Sequence, residues 1–278
     1  MVLDSAVPPD GEDPPQVNQV AVDDNTRHWA AEFDDLFDDF VDACVEDGGC
    51  PLGADADTAS KGIIDLLDSL ERVPLTTDIP SLPQLTEGWA VTALGQGLLD
   101  PTSWPFLVDA LDAAMADNDG GELAWFAMVA VGRDADGSYP GTSYGKSHLP
   151  IACNDWPQST WDEMAPSPAV LQSHPLFARV QPQLPSECTG WDGRTRDRLV
   201  VSAEPQTPVL VIGNVGDPVT PIADSRDLSD QIRRSRFVSV QANVHGAYAM
   251  GNSCADDVVE DYLVKAIAPK DGLRCDAE

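Results

Sequence analysis

The sequence predicts an α/β fold: the last strands of a parallel sheet with flanking helices, carrying a mainly helical insertion. Three observations predict it. The tail, from residue 206 onward, alternates apolar strand and amphipathic helix, as a parallel crossover unit does. The first residues, MVLDSAV, read as one more short apolar strand. Between the two lies a long stretch whose apolar residues recur at helical spacing. The domain boundaries that follow are residues 1–10 for the first core strand, 11–205 for a helical cap insertion, and 206–278 for the carboxyl-terminal core.

Each element has its own reason. Pro8 to Pro15 is a Pro/Asp-rich connection. From Thr26, Trp29, Phe33, Leu36, Phe37, Phe40, Val41 and Cys44 fall three and four apart and give one apolar helix face. Asp34, Asp35, Asp38, Asp39 and Asp42 take the other face, and Gly48-Gly49 stops the helix. A second amphipathic helix follows Asp57-Thr58, with Ile63, Ile64, Leu66, Leu67 and Leu70 inward. Pro74 to Pro83 reads as a loop. Helical patterns recur near 87–99, 104–117 and 121–130, and 133–207 has little periodicity. Val209 to Ile212 is a continuous apolar run, the mark of a strand buried on both faces. Thr220-Pro221 reads as a hydroxyl cap with proline in the first turn of a helix reaching about Arg234. Phe237 to Val240 is the next strand. Cys254 to Ile267 is a closing helix with Val258, Val259, Tyr262, Leu263 and Ile267 inward.

Charge narrows the functional classes. The 278 residues carry 47 acidic against 16 basic side chains, a net charge of −31. Such a surface repels phosphate backbones, so nucleic acid is not an expected partner. No apolar run reaches the ~18 residues of a spanning helix. Met1-Val2-Leu3-Asp4 offers neither a basic nor a long apolar stretch, so no signal peptide is read there. Nothing in the pattern calls for a cofactor. Asp134-Ala-Asp136-Gly137 spells the opening of a calcium loop, but the closing Glu position holds Gly145, so no metal site is read. The cysteines are 44, 50, 153, 188, 254 and 275, an even six. They form no CxxC and lack zinc spacing to any His, which favours disulfides and an oxidising compartment over metal. Spacing does not choose among their pairings.

Open α/β sheets place their chemistry at the carboxyl ends of strands. Asp217 follows one such end and His245 the next. Neighbouring parallel strands lie about 4.8 Å apart, so these loops can bring a carboxylate against an imidazole. The order acid then His matches the last two members of a Ser-Asp-His hydrolase triad. Alone, Asp217 reads as a turn former before Pro218, and His245 as a loop histidine; the strand context joins them. Gly141-Thr142-Ser143-Tyr144-Gly145 spells GxSxG, but a nucleophile elbow needs a strand directly before it and a helix directly after. Here Arg133 to Pro140 separates it from the nearest apolar run, and Pro150 breaks a helix behind it.

These pieces resemble the carboxyl-terminal half of the actinobacterial tripeptidyl-aminopeptidase-like α/β hydrolases, serine exopeptidases related to prolyl iminopeptidases. MVLDSAVPPD resembles the strand after the nucleophile elbow, and FVDACVEDGGCPLG the cap motif with two cysteines. PTSWPFLVDALDAAMADNDGGELAWFAM resembles the cap helices and IACNDW a cap segment. PVLVIGNVGDPVTP resembles the acid loop, NVHGAYAMGNSC the histidine loop and DGLRC the terminal cysteine segment. The resemblance implies a partial α/β-hydrolase fold with Asp217 as acid and His245 as general base. It also implies bridges Cys44–Cys50, Cys153–Cys188 and Cys254–Cys275, an extracytoplasmic location, and a peptide substrate. Asp155 is the candidate for holding the substrate's free amino terminus. The family's nucleophilic serine lies upstream of a strand like Val2-Leu3-Asp4, so the expectation is a half lacking its elbow. A separate amino-terminal half is the implied partner, and the first strand would be an unpaired sheet edge. A non-catalytic remnant or binding module, and a small complete hydrolase using Ser143, are the alternatives.

Overall fold

Val209–Asn214 is buried along its whole length, as its unbroken apolar run requires. The computed structural model describes residues 1–8, 19–46, 48–140, 150–151, 166–180 and 205–277. In chain order the first elements are β1 (Val2–Asp4), α1 (Gln19–Glu46), α2 (Ala56–Arg72), β2 (Leu75–Thr76), β3 (Gln84–Leu85) and α3 (Glu87–Leu98). Then come α4 (Trp104–Ala116), α5 (Gly121–Ala130), α6 (Pro168–Ser173) and α7 (Phe177–Val180). The tail supplies β4 (Val209–Asn214), α8 (Ile222–Gln231), β5 (Ser235–Val240), α9 (Ser253–Lys265) and β6 (Leu273–Cys275). The chain divides into two compact units, Met1–Glu32 with Arg196–Glu278, and Phe33–Thr195.

Among the described residues the first unit is built on a four-stranded sheet in the order β1-β4-β5-β6. All its pairings are parallel: Leu3 lies against Val211, Ile212 against Val238, and Val240 against Cys275. Side chains along a strand point alternately to the two faces. On one face Leu210, Ile212, Val238 and Val240 pack with Ala255, Val259 and Tyr262 of α9. On the other, Val209, Val211 and Phe237 pack with Leu228 of α8 and with Ile232 beyond its end. The result is a doubly covered parallel sheet, a partial α/β-hydrolase core. Among the described residues β1 forms one edge of it, paired to β4.

Two expectations for this unit change. Leu263 and Ile267 of the closing helix do not point inward; they are 60% and 55% exposed. The inward stripe is Ala255, Val259 and Tyr262, with Val258 beside it. Leu263 stands one residue round from that stripe, and Ile267 lies past Ala266, whose left-handed backbone ends the helix. Thr220 is not the cap of α8. That helix starts at Ile222 with Pro221 at the cap position and no side-chain cap bond.

Among the described residues the second unit is helical apart from the β2–β3 hairpin. α1 continues into it with Phe33, Leu36, Phe37, Phe40 and Val41 buried. Phe40 meets Trp104 edge-on at 5.8 Å, and Phe33 meets Phe177 at 6.0 Å. α2 is capped by Asp55, whose carboxylate accepts the Thr58 N–H at 2.8 Å. Polar clamps tie the later segments down. His174 Nδ1 lies 2.7 Å from Asp34, and Arg179 bridges Asp68 and Glu87. Cys44 and Cys50 are bonded behind the end of α1, and Cys254 and Cys275 join α9 to β6. Cys153 and Cys188 lie outside the described residues.

Candidate active site

The site grows from two strand ends. After β4 the chain turns through Val215-Gly216-Asp217. The bare Gly216 lets the Asn243 side chain approach closely: a Cβ there would sit 2.0 Å from it and force it to move. The Asp217 carboxylate then closes its own turn. Its Oδ1 accepts the N–H groups of Val219 and Thr220, each at 2.9 Å. Its Oδ2 accepts the Thr220 hydroxyl at 2.9 Å. The residue is fully buried. An ionised carboxylate without solvent needs such donors.

β5 carries the histidine. Beyond Val240 the loop passes Asn243 and Val244 and reaches His245. The ring nitrogen Nδ1 lies 3.1 Å from both oxygens of Asp217. The Thr220 hydroxyl stands 3.4 Å from the same nitrogen. Gly246, at φ +87°, turns the chain back in the left-handed region that favours glycine. The imidazole is 40% exposed while the carboxylate is wholly covered.

The electrostatics are those of an ion pair in the making. Burial pushes the Asp217 carboxyl up, but the His245 bond and the N–H groups of Thr220 and Val219 outweigh it and hold it below the usual range. His245 is raised above its ordinary value, first by its bond to Asp217, against a partial loss of solvent. The charge of Asp4 adds to that rise. With Nδ1 committed to the carboxylate, the tautomer leaves Nε2 as the basic nitrogen. A base so oriented can take a proton from a hydroxyl and return it to a leaving group.

Residues 174–275 match the family model described as TAP-like protein. Over that stretch the chain is similar to the TAP-like α/β hydrolases. It is 29% identical to Serine protease Hip1 of Mycobacterium tuberculosis over 288 aligned positions, covering 99% of this chain and 52% of that protein. It is 26% identical to Carboxylesterase B of the same organism over 287 positions, with 99% and 51% covered. The chain therefore spans about half the length of the curated relatives it matches.

The structure brings Asp217 and His245 together. Ser143 and Asp155 lie outside the described residues. Among the described residues no group of three or more His, Cys, Asp or Glu is arranged to hold a metal. Nor is any helix among them long and apolar enough to cross a membrane. Sequence reasoning missed Asp4, Ser5 and Asn214, which bond to the histidine loop, and the bond from Thr220 to the acid. A signal was present: Asp4 and Asn214 end their strands, the positions that drew attention to Asp217.

Proposed function

We propose that this chain supplies the acid and the base of a Ser-His-Asp hydrolase, Asp217 and His245, acting on peptides with free amino termini. One observation carries the reading: a fully buried carboxylate with both oxygens 3.1 Å from the Nδ1 of a partly exposed histidine. Asp217 fixes the ring and stabilises its cation. His245 Nε2 takes the proton of a serine hydroxyl as it attacks the substrate carbonyl, then gives it to the departing amine. That serine comes from a nucleophile elbow on an amino-terminal half of the TAP-like kind. Residues 11–205 serve as the cap insertion, and Asp155 pairs with the substrate's ammonium group. The names of the relatives, a serine protease and a carboxylesterase, support acyl transfer as the class. The bridges Cys44–Cys50 and Cys254–Cys275 support an extracytoplasmic setting.

The test joins this chain, by fusion or coexpression, to a serine-bearing amino-terminal half of a TAP-like relative. Short peptidyl anilides with free amino termini are hydrolysed, and acetylating that terminus stops the reaction. His245→Ala lowers kcat by at least about 10³-fold. Turnover that survives His245→Ala places the base elsewhere and ends the reading. Hydrolysis of esters alone keeps the serine hydrolase and removes the exopeptidase. Tight binding of peptides without turnover makes the chain a binding module.

A further inference from the structure

The histidine loop is gripped by three side chains that the triad does not use. From β1, Asp4 Oδ1 accepts the Ala247 N–H at 3.0 Å, and Oδ2 accepts the N–H groups of Ala247 and Tyr248 at 3.1 and 2.9 Å. The next residue, Ser5, offers its hydroxyl oxygen to the Gly246 N–H at 3.1 Å. From β4, the Asn214 amide donates to the carbonyls of Val244 and Gly246, each at 2.6 Å. The backbone on both sides of His245 is thus bonded to side chains from two neighbouring strands.

Asn214 stands in the floor of the grip. It is completely buried, both its bonds go to the loop, and its Oδ1 has no hydrogen-bond partner among the described residues. An unmet buried acceptor costs stability and sets this amide apart from an ordinary core residue. Ser5 carries a similar cost. It is a non-glycine residue at φ +49°, in the sparsely populated left-handed region, and its own N–H is fixed to Ile212 at 2.9 Å. Strain and unmet polarity gathered beside one loop mark a geometry held for use.

We propose that Asp4 is a positioning residue for His245, fixing the loop through the N–H groups of Ala247 and Tyr248 so that the ring faces Asp217. Hydrogen bonds to an ionised acceptor are about twice as strong as neutral ones, which suits a carboxylate to holding two amides at once. Asn214 holds the loop from below by its carbonyls. Ser5 fixes the peptide between His245 and Gly246. The inference rests on the reading of His245 as the base, yet concerns its placement and is measured without turnover.

The test uses the whole chain and two local readouts. The first is amide hydrogen exchange at Ala247 and Tyr248, against Val211 and Ile212 as core controls. The second is the pair of imidazole ¹⁵N shifts of His245, assigned with His245→Gln, which report its tautomer. Asp4→Ala speeds exchange at the two loop amides by about tenfold or more, leaves the controls protected, and mixes the tautomers. Asp4→Asn keeps one neutral acceptor at the same reach and restores part of both signals. Unchanged loop exchange in Asp4→Ala overturns the proposal. So does a loosened loop around an unchanged His245 tautomer, which makes Asp4 merely structural. Where Asp4→Ala loses protection in the core as well, Asp4→Asn decides, and the same global loss there overturns it. Loss of hydrolysis in the joined enzyme with these signals intact strikes the catalytic reading and not this one.

Discussion

At the scale of the residue, the Asp217–His245 pair makes a signed prediction. His245 has a folded value raised above 6.5, so its stabilising contribution is fully present below 6.5 and is lost as pH rises through the folded value. Asp217 is lowered below 3.8, so its contribution is present above 3.8 and is lost as pH falls through its own folded value. The pair therefore stabilises the fold most between about pH 4 and 6.5. Titration of the His245 ring by NMR should show a midpoint above that of an ordinary histidine, and Asp217→Asn should bring it down. A midpoint that ignores Asp217→Asn would mean that the carboxylate and imidazole do not interact in solution. Both residues were legible in the sequence because each follows a strand end. The Thr220 hydroxyl was misread as a helix cap. Sequence shows a hydroxyl before a proline; it does not show that a buried carboxylate three residues back needs a donor more than the helix does.

At the scale of the element, long periodic segments were legible and short ones were not. α2 to α5 and the strands β4 and β5 announce themselves by apolar period or by an unbroken apolar run. β6 is three residues, Leu273–Cys275, with a charged residue at its centre, and pairs in parallel with the edge of β5. The β2–β3 hairpin is held by two pairs in a stretch the prolines made look irregular. What holds so short a strand as β6 is the covalent link from Cys275 to Cys254, at the start of α9. Asn252 reinforces the same corner, accepting the Ala255 N–H at 3.0 Å and donating to the Asp276 carbonyl at 2.8 Å. The two bridged residues are 21 apart in sequence. Closing a loop of that size restricts the unfolded chain by about 3 kcal/mol. Replacing both cysteines by serine should lower the unfolding free energy in urea by roughly 2–4 kcal/mol. It should also speed amide exchange in β6 before β4. A loss confined within about 0.5 kcal/mol would show that β6 docks without its bridge.

At the scale of the whole molecule, the net charge of −31 opposes compaction. α1 concentrates the effect: Asp34, Asp38 and Asp42 succeed one another at one-turn spacing, with Asp35 and Asp39 between. Asp38 is pushed up in pKa, by loss of solvent first and then by Asp34, Asp35, Asp42 and Asp39. A carboxyl raised in the folded state stabilises as pH falls, opposite in sign to Asp217. Each like-charged pair one turn apart costs about 0.2–0.5 kcal/mol in a helix. Salt shortens the reach of such repulsion to about 10 Å at 0.1 M and about 3 Å at 1 M. The melting temperature should therefore rise by several degrees between low salt and about 0.5 M sodium chloride at neutral pH. Asp38→Asn should raise it in low salt and reduce its dependence on salt. Protonation should mimic salt only until the Asp217 contribution begins to fail, so melting temperature against pH should pass through a maximum in the weakly acidic range. A melting temperature that is flat or falling as salt is added would mean that the acidic face is already neutralised, by bound cations or by a basic partner surface laid against α1.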